Sequence, residues 1–152
     1  MAWTSEPGRG MIYMSADIFV DTNVFAYMFD SASPAKQAVA KRLIAASDFV
    51  TSAQVLGELY VTLTRKLVNK IPPEIAKRTI TELRTMPVVP TTANLVSAAI
   101  DTSIRFQLSY WDALIVEAAA SSNCTILMTE DLNDQAIIRG VRIVNPFKQV
   151  AR

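Results

Sequence analysis

Short β-prone apolar runs alternate with helix-periodic stretches along this chain, and that alternation leaves few folds open. Ile18-Phe19-Val20 ends at Asp21, and comparable runs stand at residues 48–51, 86–89, 125–128 and 142–144. Each is too short for a stable helix and is rich in residues that suit a pleated sheet. Residues 23–29 read as a short helix, and Ser33-Pro34 opens a second over 35–46, a cap residue followed by proline in the first turn. A long helix is expected over 53–69, where Val55, Leu56, Leu59, Leu63 and Leu67 mark one face. Pro72-Pro73 breaks it, and a further helix over 74–84 carries Ile75, Ile80 and Leu83. Residues 91–106 form the next, with Leu95, Ala98, Ala99 and Ile104 inward, and Ser109 opens a last helix reaching Ser121. Strands alternating with helices predict parallel pairing through right-handed crossovers. The expectation is an α/β fold, a central parallel β-sheet of four to five strands flanked by helices on both faces. Residues 1–15, with Pro7, Gly8 and Gly10, show no sustained period and read as a flexible leader before a single domain over 16–152.

Composition narrows the chemistry. The 152 residues include no histidine and one cysteine, Cys124. That excludes a Ser–His–Asp triad, a Cys–His pair, an imidazole metal ligand and a histidine base. It also excludes a disulfide framework and a cysteine-based zinc or iron–sulfur site. An enzyme made from this chain works with carboxylates, hydroxyls, Lys or Arg, or a bound cofactor. Net charge is only +1, yet Arg65, Lys66, Lys70, Lys77, Arg78 and Arg84 fall within twenty residues, opposed by Glu74 and Glu82 alone. Such a stripe suits a nucleic acid or another anionic partner, and equally describes two solvated helix faces. No apolar run approaches the roughly twenty residues of a membrane helix. Asp17 and Asp21 interrupt what would be the apolar core of a secretory signal after Arg9. A cytoplasmic protein without membrane contact is expected.

Open parallel sheets bind ligands beyond the carboxyl ends of their strands. Asp21 follows the first strand directly, and Asp131 lies three residues after Met128. Asp112 sits in the first turn of the helix opened by Ser109, and Glu58 in the second turn of the long helix. A β-α-β layout brings all four to one sheet edge. Each also has an ordinary structural use: Asp21 as a cap, Asp112 in a capping-box spacing with Ser109, Glu58 as helix surface, Asp131 or Asp134 as a turn former. The surroundings of two of them weigh against that use. Leu56 and Leu59 flank Glu58, and Ala113-Leu114-Ile115-Val116 follows Asp112. Carboxylates beside a core are costly without partners, and four gathered together repel unless a cation neutralises them. An all-oxygen site suits Mg²⁺ or Mn²⁺. Glu117 lies about 140° around the helix from Asp112 and is expected to point elsewhere.

In this order and context the residues resemble the PIN-domain ribonucleases, and within them the VapC-like toxins of type II toxin–antitoxin pairs. The matching pieces are Ile18-Phe19-Val20-Asp21-Thr22-Asn23, Val55-Leu56-Gly57-Glu58-Leu59-Tyr60 and Ser109-Tyr110-Trp111-Asp112-Ala113-Leu114-Ile115. Ile126-Leu127-Met128-Thr129-Glu130-Asp131-Leu132 and Val141-Arg142-Ile143-Val144-Asn145-Pro146-Phe147 complete the set, which spans about residues 17–147. The resemblance implies a ribonuclease that hydrolyses RNA phosphodiester bonds, with Asp21, Glu58, Asp112 and Asp131 as an unsubstituted acidic quartet around Mg²⁺ or Mn²⁺. Asp21 and Asp112 are expected as direct ligands, with Glu58 and Asp131 completing the site. Thr22 or Asn23 would steady the first carboxylate, Thr129 would orient the turn bearing Asp131, and Asp134 would stand further out. Products with 5′-phosphate and 3′-hydroxyl ends, a small cognate antitoxin and a homodimer are implied likewise.

Substrate contacts follow from spacing. Arg65 stands seven residues past Glu58, on roughly the same side of the expected helix, as does Thr62. Arg65, Lys66 and Arg105 are the expected phosphate contacts. Tyr110 and Trp111 suit base stacking, although packing at a helix start is the commoner use of such residues. Val24, Phe25, Tyr27, Met28 and Phe29 suit either the core or a dimer or antitoxin surface. The alternative to an enzyme is a non-catalytic RNA-binding or scaffold protein on the same fold. A haloacid-dehalogenase-type phosphotransferase is disfavoured, since Asn23 stands where its second aspartate belongs.

Overall fold

Phe19 and Val20 are strand neighbours that point to opposite faces, and both are fully buried. A sheet covered on both sides follows. The structure, a computed structural model, describes residues 17–150; the expected leader over 1–15 lies outside the described residues. The central strands are Ile18–Val20 (β1), Ile126–Met128 (β4) and Val141–Val144 (β6), with β1 and β6 parallel to β4 on either side. Val20 pairs with Met128 and Met128 with Val144, so the three strands end level. Ile137–Ile138 (β5) closes the far edge antiparallel to β6. Thr51–Ser52 (β2) and Val88–Val89 (β3) pair parallel to each other, and a bridge from Phe19 to Val50 links them to β1.

Six α-helices connect these strands among the described residues: Thr22–Tyr27 (α1), Pro34–Ala46 (α2), Ala53–Val61 (α3), Pro73–Leu83 (α4), Ala93–Phe106 (α5) and Tyr110–Ser121 (α6). Helix α6 is buried from Ala113 to Ala119, lies against β2, β4 and β6, and is backed by α5. Helices α1 to α4 pack in pairs on one another. Side-chain oxygens cap four helices: Asp21 takes the Thr22 N–H, Ser52 that of Val55, Thr92 that of Leu95 and Ser109 that of Asp112.

Several expectations need correction. The long helix over 53–69 stops at Val61 and continues as a π-helical turn, Thr62–Lys66, in which the Leu67 N–H reaches the Thr62 carbonyl. Strands β2 and β3 are shorter than the apolar runs that announce them, because only two residues of each find a partner. The strand β5 was not anticipated, and its antiparallel pairing makes the sheet mixed rather than wholly parallel. Ile104 and Ile75 are exposed; Leu95, Ala99 and Thr102 form the inner face of α5, and Ala76 is the buried residue of α4. Ser33 precedes α2 as expected, but its hydroxyl makes no capping bond. Val24 and Phe25 belong to the core, and Tyr27, Met28 and Phe29 pack half-buried against it.

Candidate active site

The level strand ends gather polar side chains at one edge. The Asp21 N–H donates to the Met128 carbonyl at 3.1 Å, and the Thr129 N–H to the Val144 carbonyl at 3.1 Å, so the chain leaves β1 and β4 side by side. There the Thr129 hydroxyl donates to Asp21 Oδ2 at 2.9 Å, while Asp21 Oδ1 accepts the Thr22 N–H at 2.7 Å. Asn23 donates through Nδ2 to Asp131 Oδ2 at 3.0 Å and to Thr129 Oγ1 at 3.1 Å. The Asp131 N–H also donates to Thr129 Oγ1, at 3.1 Å. The Thr22 hydroxyl donates to Glu58 Oε2 at 3.1 Å, bringing in α3. Asp21, Glu58 and Asp131 therefore belong to one bonded network in which Thr22, Asn23 and Thr129 are the connectors.

Electrostatics agree with that proximity. Burial pushes the Asp21 carboxyl up to about 6, against the lowering effect of the Thr22 N–H and the Thr129 hydroxyl; the charges of Asp131 and Glu58 push it further up. Asp112 is placed differently. It is half-buried in the first turn of α6, where its N–H is capped by Ser109 at 3.1 Å, and no direct bond joins it to the other three. Its link to them runs through Gln54, a residue that strand-end reasoning does not single out. Gln54 Nε2 donates to Glu58 Oε1 at 2.7 Å and to the Trp111 carbonyl, one residue before Asp112, at 3.4 Å.

Beside the network lies a cleft of about 330 Å³ lined by Thr22, Asn23, Tyr27, Glu58, Lys66 and Asp131, among others. Lys66 reaches it with Thr62, whereas Arg65 does not line it. The π turn explains the difference, since one extra residue per turn advances the cleft-facing position by one. Arg105 is exposed near the end of α5, with its guanidinium over the Phe106 ring at 5.0 Å. Trp111 is exposed and meets the Tyr110 ring edge-on at 4.9 Å. Asp134 is committed elsewhere: the Asn145 N–H, at 2.8 Å, holds its carboxyl below the ordinary value, with help from Lys148 at 3.3 Å. Glu117 points away from the cleft, as expected, and pairs with Arg139 at 3.0 Å. At the rim, Lys36 donates to Glu130 at 2.9 Å and to Tyr27 Oη at 3.1 Å, which ties the turn before Asp131 to α1 and α2. A larger cavity of about 730 Å³ elsewhere, near Pro87 and the start of α5, holds one carboxylate, Glu117, already neutralised by Arg139.

Among the described residues, no three Asp, Glu, His or Cys side chains form a ready ion cage. Neutral donors stand between the carboxylates instead: Thr129 on Asp21, Thr22 on Glu58, Asn23 on Asp131. The donor chemistry nonetheless fits a hard divalent cation, being all oxygen and drawn from mutually repelling carboxylates.

The family profile described as the PIN domain matches residues 18–139. Among solved structures, the chain is similar to VapC20 of Mycobacterium tuberculosis, described as a sarcin–ricin-loop-cleaving toxin, at 26% identity and a TM-score of 0.60 over 72% of this chain and 86% of that one. A toxin–antitoxin complex from Klebsiella pneumoniae matches at 21% identity and a TM-score of 0.65, over 85% of this chain and 97% of that one. VapBC2 of Rickettsia felis, bound to a DNA fragment from its promoter, matches at 14% identity and a TM-score of 0.58, over 83% and 96%. No curated protein matches the chain.

Proposed function

The chain belongs to the PIN-domain family, and from that premise we propose that it is a Mg²⁺- or Mn²⁺-dependent ribonuclease acting as the toxin of a toxin–antitoxin pair. The observation that carries this reading is the bonded network joining Asp21, Glu58 and Asp131 from three separate elements at the carboxyl edge of the sheet. Asp21, Glu58 and Asp131, with Asp112 from α6, would hold the ion. What a divalent ion supplies when bound is Lewis-acid chemistry: a more acidic water and countercharge for the phosphoryl oxygens.

The chain's own residues do the rest. Thr129 and the Thr22 N–H fix the Asp21 carboxylate between β1 and α1. Glu58 and Asp131 line the cleft, and in this reading they orient a water or take its proton. Lys66 offers a cation to an RNA phosphate from inside the cleft, with Arg65 and Arg105 as outer contacts. The exposed Trp111 ring, beside Asp112, suits stacking on a base. Without histidine, base catalysis falls to these carboxylates.

Partners follow the same reasoning. The Klebsiella and Rickettsia neighbours are a toxin–antitoxin complex and a VapBC2 assembly on promoter DNA, which supports a small antitoxin as partner here. Ile100 and Ile104, one turn apart on α5, expose apolar surface suited to a homodimer. No helix of the described residues is long and apolar enough to cross a membrane, and RNA substrates favour a cytoplasmic site of action. The test is RNA cleavage with added Mg²⁺. Asp21→Asn and Asp112→Asn are each expected to abolish cleavage while circular dichroism stays unchanged. Full activity in both would contradict the reading; RNA retarded but uncut by the wild type would favour a non-catalytic binder.

A further inference from the structure

Gln54 presents an unusual hydrogen-bond balance. Its Nε2 serves two acceptors, Glu58 Oε1 at 2.7 Å and the Trp111 carbonyl at 3.4 Å, while its own Oε1 is buried with no partner. The amide orientation is settled by chemistry, because a carboxylate and a carbonyl both accept and only the nitrogen can face them. An unpartnered buried carbonyl is destabilising, and such exceptions call for a reason. A residue free to serve folding alone would turn that oxygen toward a donor or water.

Position supplies the reason. Gln54 lies one turn before Glu58 on α3, so the two share a helix face. Its second acceptor belongs to the first turn of α6, immediately before Asp112. One amide therefore joins the helix that carries Glu58 to the helix that carries Asp112. Asp21, Glu58 and Asp131 are already linked by threonine and asparagine donors, and Gln54 makes the remaining connection.

We propose that Gln54 is a positioning residue that holds Glu58 in register with the α6 N-terminus, so that Asp112 and the other three carboxylates present one site to a divalent cation. This rests on the quartet being a cation site, as inferred above. The test is Mn²⁺ binding to the full chain by titration calorimetry, without RNA, for Gln54→Met, Glu58→Gln, the double variant and Asp21→Asn, each first checked for folding. Gln54→Leu takes the place of Gln54→Met should that variant fail to fold. Loss of an outer partner of a metal ligand typically weakens binding 10–100-fold, so Gln54→Met is expected to raise the Mn²⁺ Kd about tenfold. In the Glu58→Gln background the same change is expected to add less than about twofold, since its effect runs through Glu58.

Unchanged Mn²⁺ affinity in Gln54→Met, with affinity weakened but measurable in Asp21→Asn and Glu58→Gln, would overturn the role of Gln54 and leave the cation site standing. An undiminished tenfold loss on top of Glu58→Gln would overturn it too, since Gln54 would then act without Glu58. Wild-type affinity in both Asp21→Asn and Glu58→Gln would remove the cation site and this role together.

Discussion

Asp21 caps α1, accepts the Thr129 hydroxyl and is buried, yet as the proposed cation ligand it would have to be ionised. Those demands conflict, because burial holds the carboxyl up at about 6 against an ordinary 3.8. The sign is that of a raised group: the neutral form favours folding, this stabilisation is complete below pH 3.8, and it is lost as the pH rises through 6. By neutral pH the loss amounts to about 3 kcal/mol. Asparagine keeps the cap acceptor without the charge. In chelator at pH 7.5, Asp21→Asn is therefore expected to unfold at higher denaturant, by about 2 kcal/mol, with the gain fading towards pH 3.5. Equal or lower stability at pH 7.5 would show that Asp21 is comfortably ionised without a cation. Asp21 was legible in the sequence because a carboxylate after a short apolar strand has its place set by the strand itself. Gln54 was not, because its importance arises only where α3 and α6 approach.

The π turn shows what local periodicity misses. Leu59, Leu63 and Leu67 keep a helical rhythm and are all buried, so the pattern predicts an unbroken helix with Arg65 two turns from Glu58. The inserted residue shifts the face and gives the cleft to Lys66 instead. Lys66→Ala is expected to raise KM for RNA several-fold, with kcat changed less, and Arg65→Ala to have the smaller effect in steady-state cleavage assays. The reverse order would mean the cleft face is that of an uninterrupted helix. The hairpin from β5 to β6 was missed for a related reason. Arg139 and Gly140 both adopt positive φ, 54° and 76°, as a two-residue hairpin turn requires, but arginine lacks the asparagine or aspartate that usually marks the first position. Cap residues read more truly: Ser109 and Asp21 act through bonds one to three residues away, within reach of sequence reasoning.

At the scale of the whole molecule, residues 37 to 110 positions apart in the chain meet because three parallel strands end level, α1 starts at the end of β1, and the bridge from Phe19 to Val50 brings β2 and the start of α3 alongside. The alternation of strands and helices was enough to foresee that edge, and so the meeting of Asp21, Glu58 and Asp131. The separation of Asp112, whose helix is tied to α3 by the Gln54 bond to the Trp111 carbonyl, was beyond it, since the approach of α6 to α3 depends on packing of both helices against the sheet. The central claim is that these four carboxylates form one divalent-cation site. It is tested most directly by anomalous diffraction from crystals of the active protein grown with Mn²⁺. The expected result is a Mn²⁺ peak ligated by Asp21 and Asp112, with Glu58 and Asp131 alongside. A Mn²⁺-dependent ribonuclease whose crystals show the ion elsewhere, or no ion among these side chains, would contradict the account.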